Sequence, residues 1–195
     1  MSVLLIAGSP SAHSRSSALL EAIALRLNQR QTFVDRLSVR DLPPQALLLA
    51  DFGHPSLIKA AIQVERADVI VVATPVYKAA YSGALKVFLD VLPQDAFKGK
   101  AVLPLATGGS AHHMLALDYA LRPVLQSLGA RHILPGVYAS EKQLPRNDEG
   151  GYDMDLDIAQ RLNEAAKLLA SEGLRQPPAS ADFAPIAFSQ VRCSV

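Results

Sequence analysis

Short apolar runs alternate along the chain with stretches of helical period, the pattern of strands joined by crossover helices. Residues 3–7 predict a first strand. From 16 to 29, Leu19, Leu20, Ile23 and Leu27 share one helical face. Residues 32–37 predict a weaker second strand. Pro43 and Pro44 then break the chain before a loop at 51–55, and a helix is expected over 56–66. Residues 68–73 are almost all apolar and rich in β-branched side chains, as suits a central strand buried on both faces. The next helix starts near Ser82 and turns Leu85, Phe88, Leu89 and Leu92 inward. A fourth strand is expected at 100–106, a helix at 111–128 and a fifth strand at 132–138. Residues 141–151 form a polar loop, and a last helix runs from 156 to 171.

Five strands with helical crossovers predict an α/β fold, a doubly wound parallel five-stranded sheet in the order 2-1-3-4-5. The reading gives one domain over 1–173. A C-terminal tail, 174–195, holds Pro177, Pro178 and Pro185. On such sheets ligands bind beyond the carboxyl ends of the strands. That rule directs attention to the loops after strands one, three and four.

The first of these loops, 8–17, reads Gly-Ser-Pro-Ser-Ala-His-Ser-Arg-Ser-Ser. Ser9, Ser14, Arg15 and Ser16 could hold a phosphate with hydroxyls, helix-start amides and a charge-assisted bond. The same serines also suit plain helix capping. Neither G-x-x-x-x-G-K nor G-x-G-x-x-G is present, which argues against a triphosphate hydrolase and a standard dinucleotide fold. His13 reads as a solvent-facing loop residue. In the second loop Pro75 stiffens a turn, and Pro75, Val76, Tyr77 and Lys78 can offer a flat contact and main-chain partners to a ring. The third, Thr107, Gly108, Gly109 and Ser110, lets backbone approach a ligand closely. Together the loops suggest a mononucleotide site, with flavin mononucleotide (FMN) the best candidate. His112 and His113 follow, but no partners at metal-ligand spacing accompany them.

Pro123 falls inside the helix expected at 111–128. It has no N–H for the carbonyl of Tyr119, four residues back. A π-bulge, a kink or two short helices would each resolve this. We expect Tyr119 to sit at a bulge, beside the flavin or at a subunit interface.

Composition narrows the setting. Half of the 195 residues are hydrophobic, 19% are charged and the formal net charge is +1. Neither nucleic acid nor an anionic membrane surface is suggested. No apolar run reaches the length of a membrane span, and the N-terminus reads as a strand, not a signal peptide. Cys193 is the lone cysteine, which suits a reducing cytoplasm.

Four segments resemble a known family: G-S-P-x-x-x-S-R-S-S at 8–17, A-T-P-V-Y-K-A-A-Y-S-G-A-L-K at 73–86, L-P-L-A-T-G-G-S at 103–110 and L-D-Y-A-L-R-P-V-L at 117–125. They are similar to those of the NADPH-dependent FMN reductases of bacterial alkanesulfonate-utilising two-component systems. The resemblance runs from Met1 to about residue 139. It implies a flavodoxin-like fold, a homotetramer, FMN as a dissociable substrate and NADPH as hydride donor. Reduced flavin would pass to an FMN-dependent alkanesulfonate monooxygenase, a setting the few sulfur-containing residues fit. The resemblance also implies that Tyr119 matches a tyrosine inserted in the family's π-helix at the tetramer interface, where it would tune flavin retention or transfer. Many wider relatives carry arginine where this chain has Ser11, so Arg15 becomes the main cationic phosphate contact. Two other readings compete: a quinone or azo-dye reductase with tightly held FMN, and a flavodoxin-like electron carrier. Carriers tend to be strongly acidic, whereas this chain is near neutral.

Overall fold

A computed structural model describes residues 2–28 and 33–173. The expected tail at 174–195 and the junction at 29–32 lie outside these. Strands β1 (Ser2–Ala7), β2 (Phe33–Ser38), β3 (Val69–Tyr77), β5 (Ala101–Gly108) and β6 (His132–Ile133) form a parallel path in the order β2-β1-β3-β5-β6. A seventh strand, β7 (Val137–Ser140), also pairs with β5, while the short β4 (Ala80–Tyr81) turns back antiparallel on β3. The order 2-1-3-4-5 is therefore found, with the fifth position filled by β6 and β7 in succession.

Alternation along the strands sends successive side chains to opposite faces. Leu4, Ile6, Ile70 and Val72 join the core on one side, under α3 (Pro55–Arg66), α4 (Gly83–Asp90) and α5 (Arg122–Ser127). Val3, Leu5, Val69 and Val71 join the other, under α1 (Arg15–Asn28) and α6 (Leu156–Leu168). Leu19, Leu20, Ile23 and Leu27 of α1 and Leu85, Phe88 and Leu89 of α4 are buried as their spacing predicts. Each such side chain adds about 1.5–3 kcal/mol of apolar burial.

Helices α3, α4 and α6, like α1, start on side-chain caps. Ser82 Oγ accepts from Leu85 N–H at α4, Asp155 from Ile158 N–H at α6, and His54 Nδ1 from Ser56 N–H at α3. A short helix, α2 (Pro44–Leu48), precedes the loop expected at 51–55 and starts at the proline pair, with Pro44 in its first turn.

The helix expected at 111–128 is not continuous. A 3₁₀ turn at Ala111–His113 leads to a π-helix at Leu117–Leu121 and then to α5. Arg122 N–H bonds the Leu117 carbonyl, five residues back. Tyr119 therefore sits in a π-helix, as the proline suggested. No helix among the described residues is long and apolar enough to cross a membrane.

Candidate functional site

The loops after β1, β3, β5 and β7 meet at one edge of the sheet because the strands are parallel and in register. Ala7 pairs with Ala73, Pro75 with Thr107, and Gly108 with Ser140. A buried network fixes the first two loops to α4. Thr74 Oγ1 accepts from Ser82 N–H at 3.0 Å, and Ser82 Oγ donates to the Gly8 carbonyl. Thr74 and Ser82 are fully enclosed, so each hydroxyl needs these partners.

The loop from β1 into α1 is an amide-rich helix start. Ser14 Oγ takes the Ser17 N–H at 3.1 Å and contacts the hydroxyls of Ser16 and Ser17. The other first-turn amides have no intrahelical acceptor, which makes the helix start a place for an anion. Ser9 and Ser16 are buried, and Ser9 Oγ accepts from Ser11 N–H. These two serines shape the loop from behind.

The segment after β3 is a hairpin, not a loose turn. Val76 pairs with Tyr81 and Tyr77 with Ala80 across Lys78 and Ala79, both of which take positive φ. Strand β3 thus carries Pro75, Val76 and Tyr77 straight into the site as a flat wall. Opposite it, Gly108 leaves room for the Tyr138 hydroxyl: a Cβ there would lie 2.5 Å from it, so the tyrosine would have to shift. That hydroxyl donates to the Ser110 carbonyl at 2.5 Å. Burial, and then the negative charge of Glu141, hold the Tyr138 pKa above the ordinary tyrosine value.

These elements enclose a cleft of about 210 Å³. Of the residues expected at the site, Ser14, Arg15, Pro75, Val76, Tyr77, Thr107, Gly108 and Gly109 line it. Lys78 and Ser110 flank it in sequence without lining it, and Tyr119, 79% exposed, is not among its lining residues either. Ser11, His13, Glu141 and Tyr152 complete the wall. Glu141 and Tyr152 come from the loop after β7, which the sequence shows only as polar. Its position after the fifth strand was the available signal, since that strand too ends at the ligand edge.

Arg15 ties this loop down. Its Nε donates to the Leu144 carbonyl at 2.9 Å, its Nη1 meets Glu141 Oε1 at 3.2 Å, and its guanidinium lies 5.3 Å from the Tyr152 ring centre. A larger cleft of about 730 Å³ lies between α3 and the chain beyond α4, lined by Phe52, Ile58, Ile62 and Val91 among others. It sits away from the carboxyl ends of the strands, and no serine or threonine lines it. The smaller cleft is the one with anion-binding chemistry.

The arrangement is that of a doubly wound sheet with a cleft lined by polar groups at its C-terminal edge. A family model described as NADPH-dependent FMN reductase matches residues 1–144, and the chain belongs to that family. It is 51% identical over 144 residues to an FMN reductase (NADPH) of Escherichia coli strain K12, covering 74% of this chain and 75% of that one. Among solved structures it is similar to an apo NADH:FMN oxidoreductase (EMOB), with TM-score 0.80, 42% identity and coverage of 90% and 91%. A flavodoxin from Streptococcus pneumoniae TIGR4 shares the fold alone, with TM-score 0.60 at 17% identity and coverage of 87% and 97%. The fold is therefore flavodoxin-like.

Proposed function

We propose that this protein reduces FMN at the expense of NADPH and releases the reduced flavin to a monooxygenase that desulfonates alkanesulfonates. The observation that carries the reading is the convergence, in one cleft, of a helix start rich in hydroxyls with the Pro75–Tyr77 wall and the glycine-opened end of β5. This donor set fits the group: amides, Ser14 and Arg15 suit a phosphate dianion, and backbone beside a flat apolar strand end suits a planar heterocycle. Bound there, FMN supplies the hydride-accepting ring nitrogen.

The protein's own part is alignment. Ser14 and Arg15, backed by Ser9 and Ser16, hold the phosphate. Pro75, Val76 and Tyr77, with Lys78 at the hairpin tip, hold one side of the ring. Thr107, Gly108, Gly109 and Ser110 border its far edge. Fixing donor and acceptor face to face converts an encounter into an oriented step, and no side chain need move a proton for hydride transfer itself.

Tyr119 acts in flavin retention or transfer through a homotetramer. Tyr119 and the nearby Met114 and Leu115 are all more than half exposed, an apolar surface suited to a partner subunit. A net charge of only +1 and a single cysteine suit a cytoplasmic enzyme.

Purification and steady-state assay test the reading. The protein should be colourless, and oxidation of NADPH should require added FMN. A yellow preparation that reduces quinones or azo dyes without added flavin would replace it with a tightly bound flavoenzyme. No oxidation with any flavin would leave an electron carrier.

A further inference from the structure

We infer that Glu141 is a built-in competitor for the flavin phosphate, a carboxylate that occupies Arg15 and thereby keeps FMN binding weak and reversible. The inference rests on the reading of the cleft as an FMN site. Its starting point is a pairing that a simple phosphate site would not contain. Arg15 and Glu141 both line the cleft, and their side chains meet at 3.2 Å within it.

The geometry separates two jobs of the arginine. Its Nε is held by the Leu144 carbonyl at 2.9 Å, and the plane of the guanidinium lies by the Tyr152 ring. Those contacts fix where the arginine stands whatever else binds. The Nη1 edge, the one a phosphate would use for a forked pair of bonds, is the edge Glu141 takes.

The backbone of Glu141 is fixed, whereas its carboxylate is held by Arg15. Glu141 N–H donates to the Gly108 carbonyl at 3.0 Å, and the carboxyl carbon lies 3.9 Å from where a Gly109 Cβ would stand. The anion thus sits between the phosphate loop and the loop after β5. Glu141 is also more exposed than Arg15, with 55% against 29% of the side chain accessible. Of the two, the glutamate is the one free to swing away. An exposed pair of this kind is weak enough to exchange.

A phosphate dianion arriving at Arg15 therefore meets two opposing effects. It must displace Glu141 from Nη1, and the displaced carboxylate remains nearby as a like charge. Riboflavin has the same ring and no phosphate, so it meets neither. Glu141 should weaken FMN and leave riboflavin alone, a device suited to a flavin that must leave as product.

Titration calorimetry of FMN and riboflavin against the wild-type protein, Glu141→Gln and Glu141→Ala tests this. Both variants keep the backbone bond to Gly108. Each should tighten FMN by about 3- to 10-fold at low salt and change riboflavin by less than about twofold. The gain should shrink toward unity near 1 M salt, where the Debye length is about 3 Å. FMN affinity that is unchanged or weakened in both variants overturns the proposal, the latter by making Glu141 a positioning residue for Arg15. Equal tightening of both flavins also overturns it, since the effect would then lie at the ring. Wild-type protein and variants that bind neither flavin would remove the flavin site itself, and this inference with it.

Discussion

Lys78 and Ala79 form the tip of the hairpin after β3 with φ of 49° and 63°. A side chain in that left-handed region costs roughly 1–2 kcal/mol, and glycine avoids the cost. Ala79→Gly should raise the unfolding free energy by about 1 kcal/mol, read as a shift in denaturant midpoint at constant slope. A loss of stability would show that the alanine methyl packs usefully. Such strain at the tip of a ligand-facing hairpin is the kind that persists where surrounding structure imposes it. Arg15 shows a different residue-scale tension. Its removal takes a charge-assisted bond from the phosphate and, with it, the anchor of Leu144, Glu141 and Tyr152. Arg15→Ala should raise the apparent FMN constant by about 10-fold or more, from about 1.5–3 kcal/mol for a bond to a charged group. The 141–152 loop should at the same time become more open to limited proteolysis. Unchanged FMN affinity would take Arg15 out of the site. The sequence displayed Arg15 among serines but not its partners, which lie more than 120 positions away. No local pattern could announce them.

Elements were legible in proportion to how far a periodic pattern alone decided them. The buried faces of α1 and α4 are where the spacing of Leu19, Leu20 and Ile23, and of Leu85, Phe88 and Leu89, put them. Strand β3 runs on to Tyr77, past the expected end at 73, because Pro75 pairs with Thr107 and its missing N–H does not stop the ladder. Pro123 did announce a break, and the π-helix at Leu117–Leu121 is the form it took. The break at the fifth strand was hidden. Between β6 and β7 the chain passes Gly136, where a Cβ would lie 2.9 Å from Leu117 Cδ1 and 3.0 Å from the Pro104 carbonyl oxygen. The interruption of the strand and the π-helix are thus pressed against each other, a contact no single segment encodes. Gly136→Ala should cost about 1–3 kcal/mol, since the backbone oxygen cannot yield as a side-chain end can. Tyr119→Ala, at a 79% exposed site, should alter the stability of the isolated protomer by less than about 0.5 kcal/mol. Chemical denaturation of both variants checks the contrast; a costly Tyr119→Ala would mean that the side chain is buried in solution.

Across the whole molecule the sheet order followed from strand count and parallel crossovers, and that order is what brings four loops to one edge. The ionisable groups drawn into the fold by the same packing set its behaviour in alkali. Burial holds the Lys100 pKa below the ordinary 10.5, against the smaller pull of Asp68 and Glu65. Burial holds Tyr81 above the ordinary 10.0, with Lys86 opposing and Asp90 reinforcing. Tyr138 is raised as well. The two residue types act with opposite sign. Between its folded and unfolded values Lys100 binds fewer protons in the native protein than in the unfolded chain, so its contribution to stability rises with pH up to about 10.5. Tyr81 and Tyr138 keep their protons longer when folded, so their contribution is whole below pH 10 and is lost as pH climbs through the raised values. Tyr81→Phe isolates one of them, because its ring packs against the core and no hydrogen bond of its hydroxyl is present among the described residues. Relative to wild type, this variant should show a constant stability difference from pH 7 to 9 and gain steadily above pH 10. Urea unfolding at stepped pH reads that difference directly. A gap that stays constant through pH 11 would mean that the Tyr81 hydroxyl meets water as freely in the folded protein as in the unfolded chain.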